Sequence, residues 1–313
     1  MADYIIGVDV GGTKQTAALA DADGNIAKQL RRQTDRAGGA AAGIESIQAL
    51  IRSLLEEATQ RGVEVVRIGV GFGGPVDYRT GTVLLSHHVA GWENQPLKRI
   101  LEDAFHRPVV VDNDCNAGAL GEWRFGAGRG VDDLIYINIG TGIGGGVIAG
   151  GRLVRGVCNG AGEIGHAVID PHGPVCTCGK RGCLEALCSG PYIALRAREQ
   201  VKAFGAPTSL TATCTSEEVF AAALNGDALA QQIVQESAHY LAHAIGNAVS
   251  LLNPQMVILG GGVSEVGDVL LRPVRERVLH YCLPLYNRHL QIVPAQLGYD
   301  AGVRGAVALA IER

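Results

Sequence analysis

Apolar runs separated by glycine turns dominate the chain, and they predict two successive β-then-α units. The first unit opens with the apolar run "YIIGVDV", the turn "GGTK" and the run "QTAALADA". "DGN" at 23–25 is a strong hairpin signal, so we expect a third strand near 26–34. Apolar side chains at helical spacing predict a helix over 41–60 and a short one near 96–105. The runs "VRIGVGFGG" and "PVVVDND" complete this unit as buried strands.

A second β series starts near residue 133. "LIYINIGTGIGGGVIAGGRLV" predicts strand, turn, strand, turn and strand, as in residues 4–30. We then expect helices around 189–204, 215–225 and 228–252, the strand "MVILGGG", a helix over 265–279, a strand over 290–296 and a terminal helix from about 300. The repeat favours two α/β halves around a cleft, an N-terminal one over 1–118 and a C-terminal one over 119–313, with the terminal helix packing back on the first.

Composition narrows the class of protein. Hydrophobic residues make up 47% of the 313 residues and charged residues 19%, as in an ordinary globular protein. The net charge is −4 and no Lys/Arg run exceeds two residues, which argues against a nucleic-acid partner. The uncharged stretches 134–151 and 245–263 contain seven glycines and an Asn-Pro pair respectively, so neither predicts a membrane span. Eight cysteines without a secretory signal indicate reduced thiols in the cytoplasm.

The first glycine turn, "DVGGTK", has the make-up of an anion-binding nest. Successive backbone N–H groups can point at phosphate oxygens, Thr13 adds a hydroxyl and Lys14 a positive charge. Asp9 could hold Mg²⁺ through water. A plain β-hairpin explains the same stretch equally well. The chain has no Walker loop, and its two G-x-G-x-x-G matches are not followed by a helix, so we interpret them as accidental.

Several motifs together resemble the ROK family of sugar kinases and repressors. They are "DVGGTK", "DNDCNAGALGE", "IGTGIGGG", "GAGEIGH", "CTCGKRGCLE", "LGGGV" and "LGYDAG", in the expected order from end to end. The resemblance implies an α/β fold of two ribonuclease-H-like lobes, the actin-like ATPase architecture, with ATP and sugar in the interdomain cleft. It implies ATP contacts from Gly11, Gly12, Thr13, Lys14, Gly140, Thr141 and Gly142, and an adenosine side near Gly260, Gly261 and Gly262. Repressors of the family carry a DNA-binding segment before the first loop, which here begins at Asp9, so we expect an enzyme.

Polar residues end the strand in "VVVDNDCNAG", where phosphoryl transfer would need a base. A carboxylate beside the attacking hydroxyl can accept its proton. In the family's Asn-Asp pattern the aspartate is this base, and Asp114 matches it, whereas Asn113 would bind ring hydroxyls. Helix capping alone would also explain the run of Asp and Asn, and we expect Asp112 to cap the following helix.

The cysteines of "CTCGKRGCLE" have the spacing of a metal knuckle. Structural zinc takes four N or S ligands, of which Cys176, Cys178 and Cys183 supply three. His166, which matches the family's histidine, is the candidate fourth ligand. We expect the metal to hold the neighbouring segments in place.

In the resemblance the sugar is contacted by Gly74, Asn113, Asp114, Glu163, His166 and Glu185. The family usually has an Asn before "GW", whereas this chain has His88 at or near that position. The change leaves open a glucose site or a sugar with a different substituent.

We expect an ATP- and Mg²⁺-dependent kinase acting on glucose O6. An N-acetylmannosamine or N-acetylglucosamine kinase, a fructokinase and a non-catalytic sugar sensor remain open. The family suggests a homodimer or homotetramer.

Overall fold

The computed structural model describes residues 3–86, 89–204, 207–285 and 288–312. Within them lie twelve strands: β1 (Asp3–Val10), β2 (Lys14–Asp21), β3 (Ile26–Gln33), β4 (Glu64–Phe72), β5 (Val76–Asp77), β6 (Thr82–Val83), β7 (Val109–Asn113), β8 (Leu134–Ile139), β9 (Ile143–Ala149), β10 (Arg152–Val154), β11 (Met256–Gly260) and β12 (Gln291–Pro294).

The same residues form nine α-helices: α1 (Gly39–Arg61), α2 (Leu97–Phe105), α3 (Asp114–Phe125), α4 (Leu184–Cys188), α5 (Gly190–Phe204), α6 (Ser216–Leu224), α7 (Ala228–Leu252), α8 (Asp268–Val278) and α9 (Ala301–Ile311). The strands and helices predicted from the apolar pattern are confirmed to within a few residues at their ends. The pattern missed the short hairpin β5–β6, the five-residue helix α4 and the helix α3, which was implied only by the expected cap at Asp112.

Two five-stranded sheets share one plan. The first has the order β3-β2-β1-β4-β7 and the second the order β10-β9-β8-β11-β12. In each, the first three strands along the chain are antiparallel neighbours and the next two add in parallel. The predicted duplication of two α/β halves is therefore confirmed.

The long helices owe their place to buried apolar faces. In α1, Ile47, Ile51 and Leu54 are fully buried against the first sheet, at the helical spacing read from the sequence. The helix ends at Gly62, whose left-handed backbone (φ 66°) lets its N–H bond the carbonyl oxygens of the last turn. α7 is the corresponding buried helix of the second core.

The terminal helix α9 returns to the first sheet. Val307 and Ala310 pack with Ile5 and Ala20 in one buried cluster. The approach is so close that a Cβ at Gly69 on β4 would overlap the carbonyl oxygen of Ala306. The predicted boundary between the halves, after residue 118, falls inside α3, which contacts both α9 and β9. The division of the chain at that residue stays a prediction. No helix in the described ranges is both long and apolar enough to cross a bilayer.

Candidate active site

A cleft between the two halves gathers most of the predicted site residues. A cavity of about 710 Å³ is lined from the first half by residues 11–14, 73–76 and 113–115. From the second half it is lined by Thr141–Gly145, the segment 158–166, Cys178 and Glu185. A neighbouring cavity of about 310 Å³ shares Asp9, Lys14 and Asp114 with it and extends to residues 259–262. The cleft therefore has room for two ligands whose sites meet at these shared residues.

The first glycine turn, residues 11–14, lines the cleft, and side chains hold two of its carbonyl oxygens. The Gly11 carbonyl oxygen accepts from Thr34 Oγ1 at 2.8 Å and that of Gly12 from Arg36 Nε at 2.7 Å. Because a trans peptide directs its N–H opposite to its C=O, the next two N–H groups point away from Thr34 and Arg36. Arg36 also lines the cleft, and no sequence motif predicted this positive charge.

Asp9 and Asp114 form an acidic pair at the junction of the two cavities. Burial, followed by the charge of Asp114, raises the pKa of Asp9 to about 7, against the opposing effect of Lys14. Burial is also the main cause that raises the pKa of Asp114 to about 6, with Glu163 adding to the effect and hydrogen bonds from Cys115 opposing it. The carboxyl group of Asp114 therefore has a pKa not far below neutral pH.

Asn113 fixes Asp114 at the first position of α3. Its Oδ1 accepts from the N–H groups of Cys115 (2.8 Å) and Asn116 (3.2 Å), and its Nδ2 donates to the Gly74 carbonyl oxygen at 3.1 Å. The predicted cap, Asp112, is wrong: its carboxylate is buried and pairs with Arg155 at 2.7 Å. The reason is that Asn113 occupies the position directly before α3 and accepts from the free N–H groups there, whereas Asp112 lies one residue earlier.

The second glycine turn is tied to Glu185. Ile143 N donates to Glu185 Oε2 at 3.0 Å, and Gly140 N donates to the Gly142 carbonyl oxygen at 2.9 Å. A Cβ at Gly142 would lie only 2.6 Å from Glu185 Oε2, so the contact needs a glycine. Thr141 is exposed at the edge of the turn.

Four side chains predicted as metal ligands lie together beside the cleft. The ligand atoms of His166, Cys176, Cys178 and Cys183 all lie within 4.8 Å of one another. Cys178 Sγ is 3.6 Å from Cys183 Sγ, and Cys176 Sγ is 3.7 Å from His166 Nδ1. These separations exceed a disulfide bond and match the edges of a tetrahedron around zinc, about 3.5–3.8 Å. The donor set and its spacing therefore fit one zinc ion.

His166 belongs both to the cysteine cluster and to the lining of the cleft. Its Nδ1 is on the side of the cysteines, and the residue also lines the cleft with Glu163 and Glu185. Two isolated β-bridges, between residues 168 and 183 and between 175 and 181, shape the cysteine loop. The cluster thereby joins the segment that carries Glu163 to the segment that carries Glu185.

The predicted adenosine side lines the smaller cavity. Gly261 has φ 84°, and Ser264 Oγ donates to the Gly260 carbonyl oxygen at 2.8 Å. Gly262 and Tyr299 also line this cavity, and Lys14 Nζ lies 5.4 Å from the Tyr299 ring centroid. Tyr299 belongs to the motif "LGYDAG", but no role was predicted for it. The predicted sugar residue His88 lies outside the described residues.

Comparisons with known proteins agree with this geometry. A family model described as "ROK family" matches residues 5–313. A glucokinase of Thermotoga maritima is 37% identical over 99% of this chain and 98% of its own length. An N-acetylmannosamine kinase of Shigella boydii is 34% identical over 97% of each chain.

A solved structure matches the whole architecture. It is a ROK family glucokinase from Streptomyces griseus in complex with glucose and AMPPNP, with TM-score 0.83 and 35% identity over 99% of this chain and 100% of that one. The predicted fold class, two α/β lobes of the actin-like ATPase type, is confirmed.

Proposed function

The chain belongs to the ROK family, and from that premise we propose that it is an ATP-dependent glucokinase, which transfers the γ-phosphoryl group to O6 of glucose. The observation that carries the proposal is Asp114, a carboxyl group with a raised pKa between two glycine turns in a cleft. The similar glucokinases of T. maritima and S. griseus support glucose as the acceptor.

In this proposal Asp114 accepts the proton of the sugar hydroxyl as O6 attacks the γ-phosphorus, and the bond from that phosphorus to the departing ADP oxygen breaks. Its pKa of about 6 leaves it ionised at neutral pH yet able to hold a proton. A base so placed contributes roughly 10²–10⁴-fold to the rate. The rest of the barrier is lowered by positioning and by neutralising phosphate charge.

The two glycine turns would hold the triphosphate. N–H groups of the first turn, with Lys14 and Arg36, would bind phosphate oxygens from one side, and Thr141 with Gly142 from the other. Asp9 is the residue we propose to hold Mg²⁺ through water, and the ion would supply positive charge to neutralise the phosphates. Gly261 and Gly262 would line the adenosine.

Carboxylates on the sugar side would select for hydroxyl groups. Glu163 and Glu185 can accept charge-assisted hydrogen bonds from ring hydroxyls, and His166 Nε2 can add a further bond. Gly74 and Asn113 line the same cavity from the first half. We propose that one zinc ion on His166, Cys176, Cys178 and Cys183 holds these residues in place. The unpaired cysteines favour the cytoplasm, which keeps thiols reduced.

A second candidate is an N-acetylmannosamine kinase. The relative from S. boydii favours it, at 34% identity over 97% of each chain. Because an N-acetyl group needs space that a glucose 2-hydroxyl does not, the two candidates differ in the acceptor they turn over.

An ADP-release assay with a panel of sugars tests the proposal. We expect ATP-dependent turnover with glucose, little with N-acetylmannosamine, N-acetylglucosamine or fructose, and loss of turnover in Asp114→Asn. Asp103→Asn, on the exposed face of α2, is the control and should keep full activity. Turnover with N-acetylmannosamine alone would support the second candidate. Thermal stabilisation by sugar without any ADP release would instead indicate a sugar sensor.

A further inference from the structure

A loop of the second half crosses to the first half just before the sugar-side residues. It begins at Arg155, after β10, and closes on itself where Ala161 N donates to the Arg155 carbonyl oxygen at 3.2 Å. Within it, Asn159 Nδ2 donates to the Val76 carbonyl oxygen on β5 at 2.5 Å. Glu163 follows directly. The place of Glu163 in the cleft therefore depends on where this loop is anchored.

Arg155 is the main anchor of the loop. Its Nε donates to Asp112 Oδ2 at 2.7 Å and its Nη2 to Glu312 Oε2 at 2.9 Å. Its guanidinium carbon lies 4.6 Å from the ring centroid of Tyr78. The three partners lie on β7, after α9 and after β5, so all belong to the first half or to the helix packed on it. Only a planar guanidinium fork can serve two carboxylates and a ring face together.

Asp112 connects this anchor to Asp114. Its side chain is 1% exposed, and its Oδ1 accepts from Asn116 Nδ2 at 3.0 Å and from Asn113 N at 2.7 Å. The two donors flank Asp114 in the sequence. One carboxylate therefore holds the loop of the second half and the residues on both sides of the candidate base.

We propose that Arg155 is a positioning residue that sets the sugar-side loop against Asp114 across the cleft. This inference rests on the proposed function. Misplacing a sugar hydroxyl by about 1 Å relative to its base can lower the rate ~10²-fold. The glycine turns at 11–14 and 140–142 make none of these contacts, so we expect the KM for ATP not to depend on Arg155.

Steady-state kinetics of three variants test the proposal. Asp112→Asn/Arg155→Gln removes both charges together, so no buried carboxylate is left unpaired and the fold is retained. We expect its kcat/KM for glucose to fall about tenfold or more, through a lower kcat and a higher glucose KM, with the KM for ATP unchanged. Arg155→Lys can still pair with Asp112, so its kcat/KM for glucose should lie between those of the wild type and the double variant. Glu312→Gln leaves the bond between Arg155 and Asp112 in place, so its kcat/KM for glucose should fall least.

The control is Arg275→Gln, which breaks a guanidinium link between Asp268 and the Ile292 carbonyl oxygen within the second half. A merely structural ion pair would lower the melting temperature and leave kcat and both KM values unchanged. That result in the double variant overturns the proposal, as does an Arg155→Lys enzyme with wild-type kinetics. The same kinetic loss in Arg275→Gln also overturns it. A wild-type protein without any sugar kinase activity overturns the proposed function, and this inference with it.

Discussion

Glu185 accepts a hydrogen bond from the backbone N–H of Ile143 at 3.0 Å, which ties the metal-cluster segment to the second glycine turn. Its other oxygen lies 3.3 Å from Thr177 Oγ1 in the cysteine loop. One carboxylate therefore contacts the cysteine loop, a turn proposed to hold phosphates and the proposed sugar site.

Substitutions at Glu185 should separate these contacts. Glu185→Gln keeps an oxygen that can accept from Ile143 but loses the charge, so we expect a glucose KM about tenfold higher and an unchanged KM for ATP. Glu185→Ala removes the accepting oxygen as well as the charge, so it should raise the KM for glucose and the KM for ATP. Initial rates with each substrate varied in turn measure the split, and Glu199→Gln on the exposed face of α5 is the control. An unchanged KM for ATP in Glu185→Ala would contradict the role of Glu185 in the turn.

The pH dependence of catalysis should follow the ionisation of Asp114. A base must be deprotonated to act, and burial raises the pKa of this group to about 6. We therefore expect kcat/KM for glucose to rise with pH up to about pH 6 and then level off. Rates measured from pH 5 to 8 check this, with the stability of the protein confirmed at each pH. A profile flat down to pH 5 would exclude Asp114 as the base.

The same raised pKa affects stability. A carboxyl group whose pKa is higher in the folded protein than the ordinary 3.8 stabilises the fold at low pH, and this contribution is lost as the pH rises through about 6. Asp114→Asn removes the ionised form and its repulsion of Asp9. We expect the ligand-free variant to gain on the order of 1 kcal/mol over wild type at pH 8, and less at pH 5. Thermal unfolding at both pH values measures the difference. An equal gain in stability at pH 5 and pH 8 would contradict the link between the ionisation of Asp114 and the stability of the fold.

Metal removal tests the cysteine cluster. We expect one zinc ion per chain by elemental analysis and loss of the metal, with weaker glucose binding, in Cys178→Ser. Cys214→Ala, at a buried cysteine outside the cluster, should keep both. A metal-free protein that binds glucose normally would show that the cluster does not position Glu163 and Glu185.

Much of this architecture could be predicted from local features of the sequence. The apolar runs predicted β1, β2, β4 and β8 because most residues of these strands are buried. The cysteine spacing predicted a cluster because ligands close in sequence are easily brought together.

Long-range partners had no such signal. Asp112 and Arg155 are 43 residues apart, and Glu122 accepts from the N–H groups of Gln296 and Leu297, more than 170 residues further along the chain. Such pairings arise only when both sheets and α9 have packed, so Asp112 looked like a helix cap until its partner was placed.

If Asp114 accepts the proton of glucose O6, a crystal structure with glucose and AMPPNP will show the two groups in contact. We predict O6 within about 2.6–3.2 Å of an Asp114 carboxylate oxygen, on the side of the cleft that faces the γ-phosphate. Glucose bound with O6 turned away from Asp114, while both ligands occupy the cleft, would contradict it.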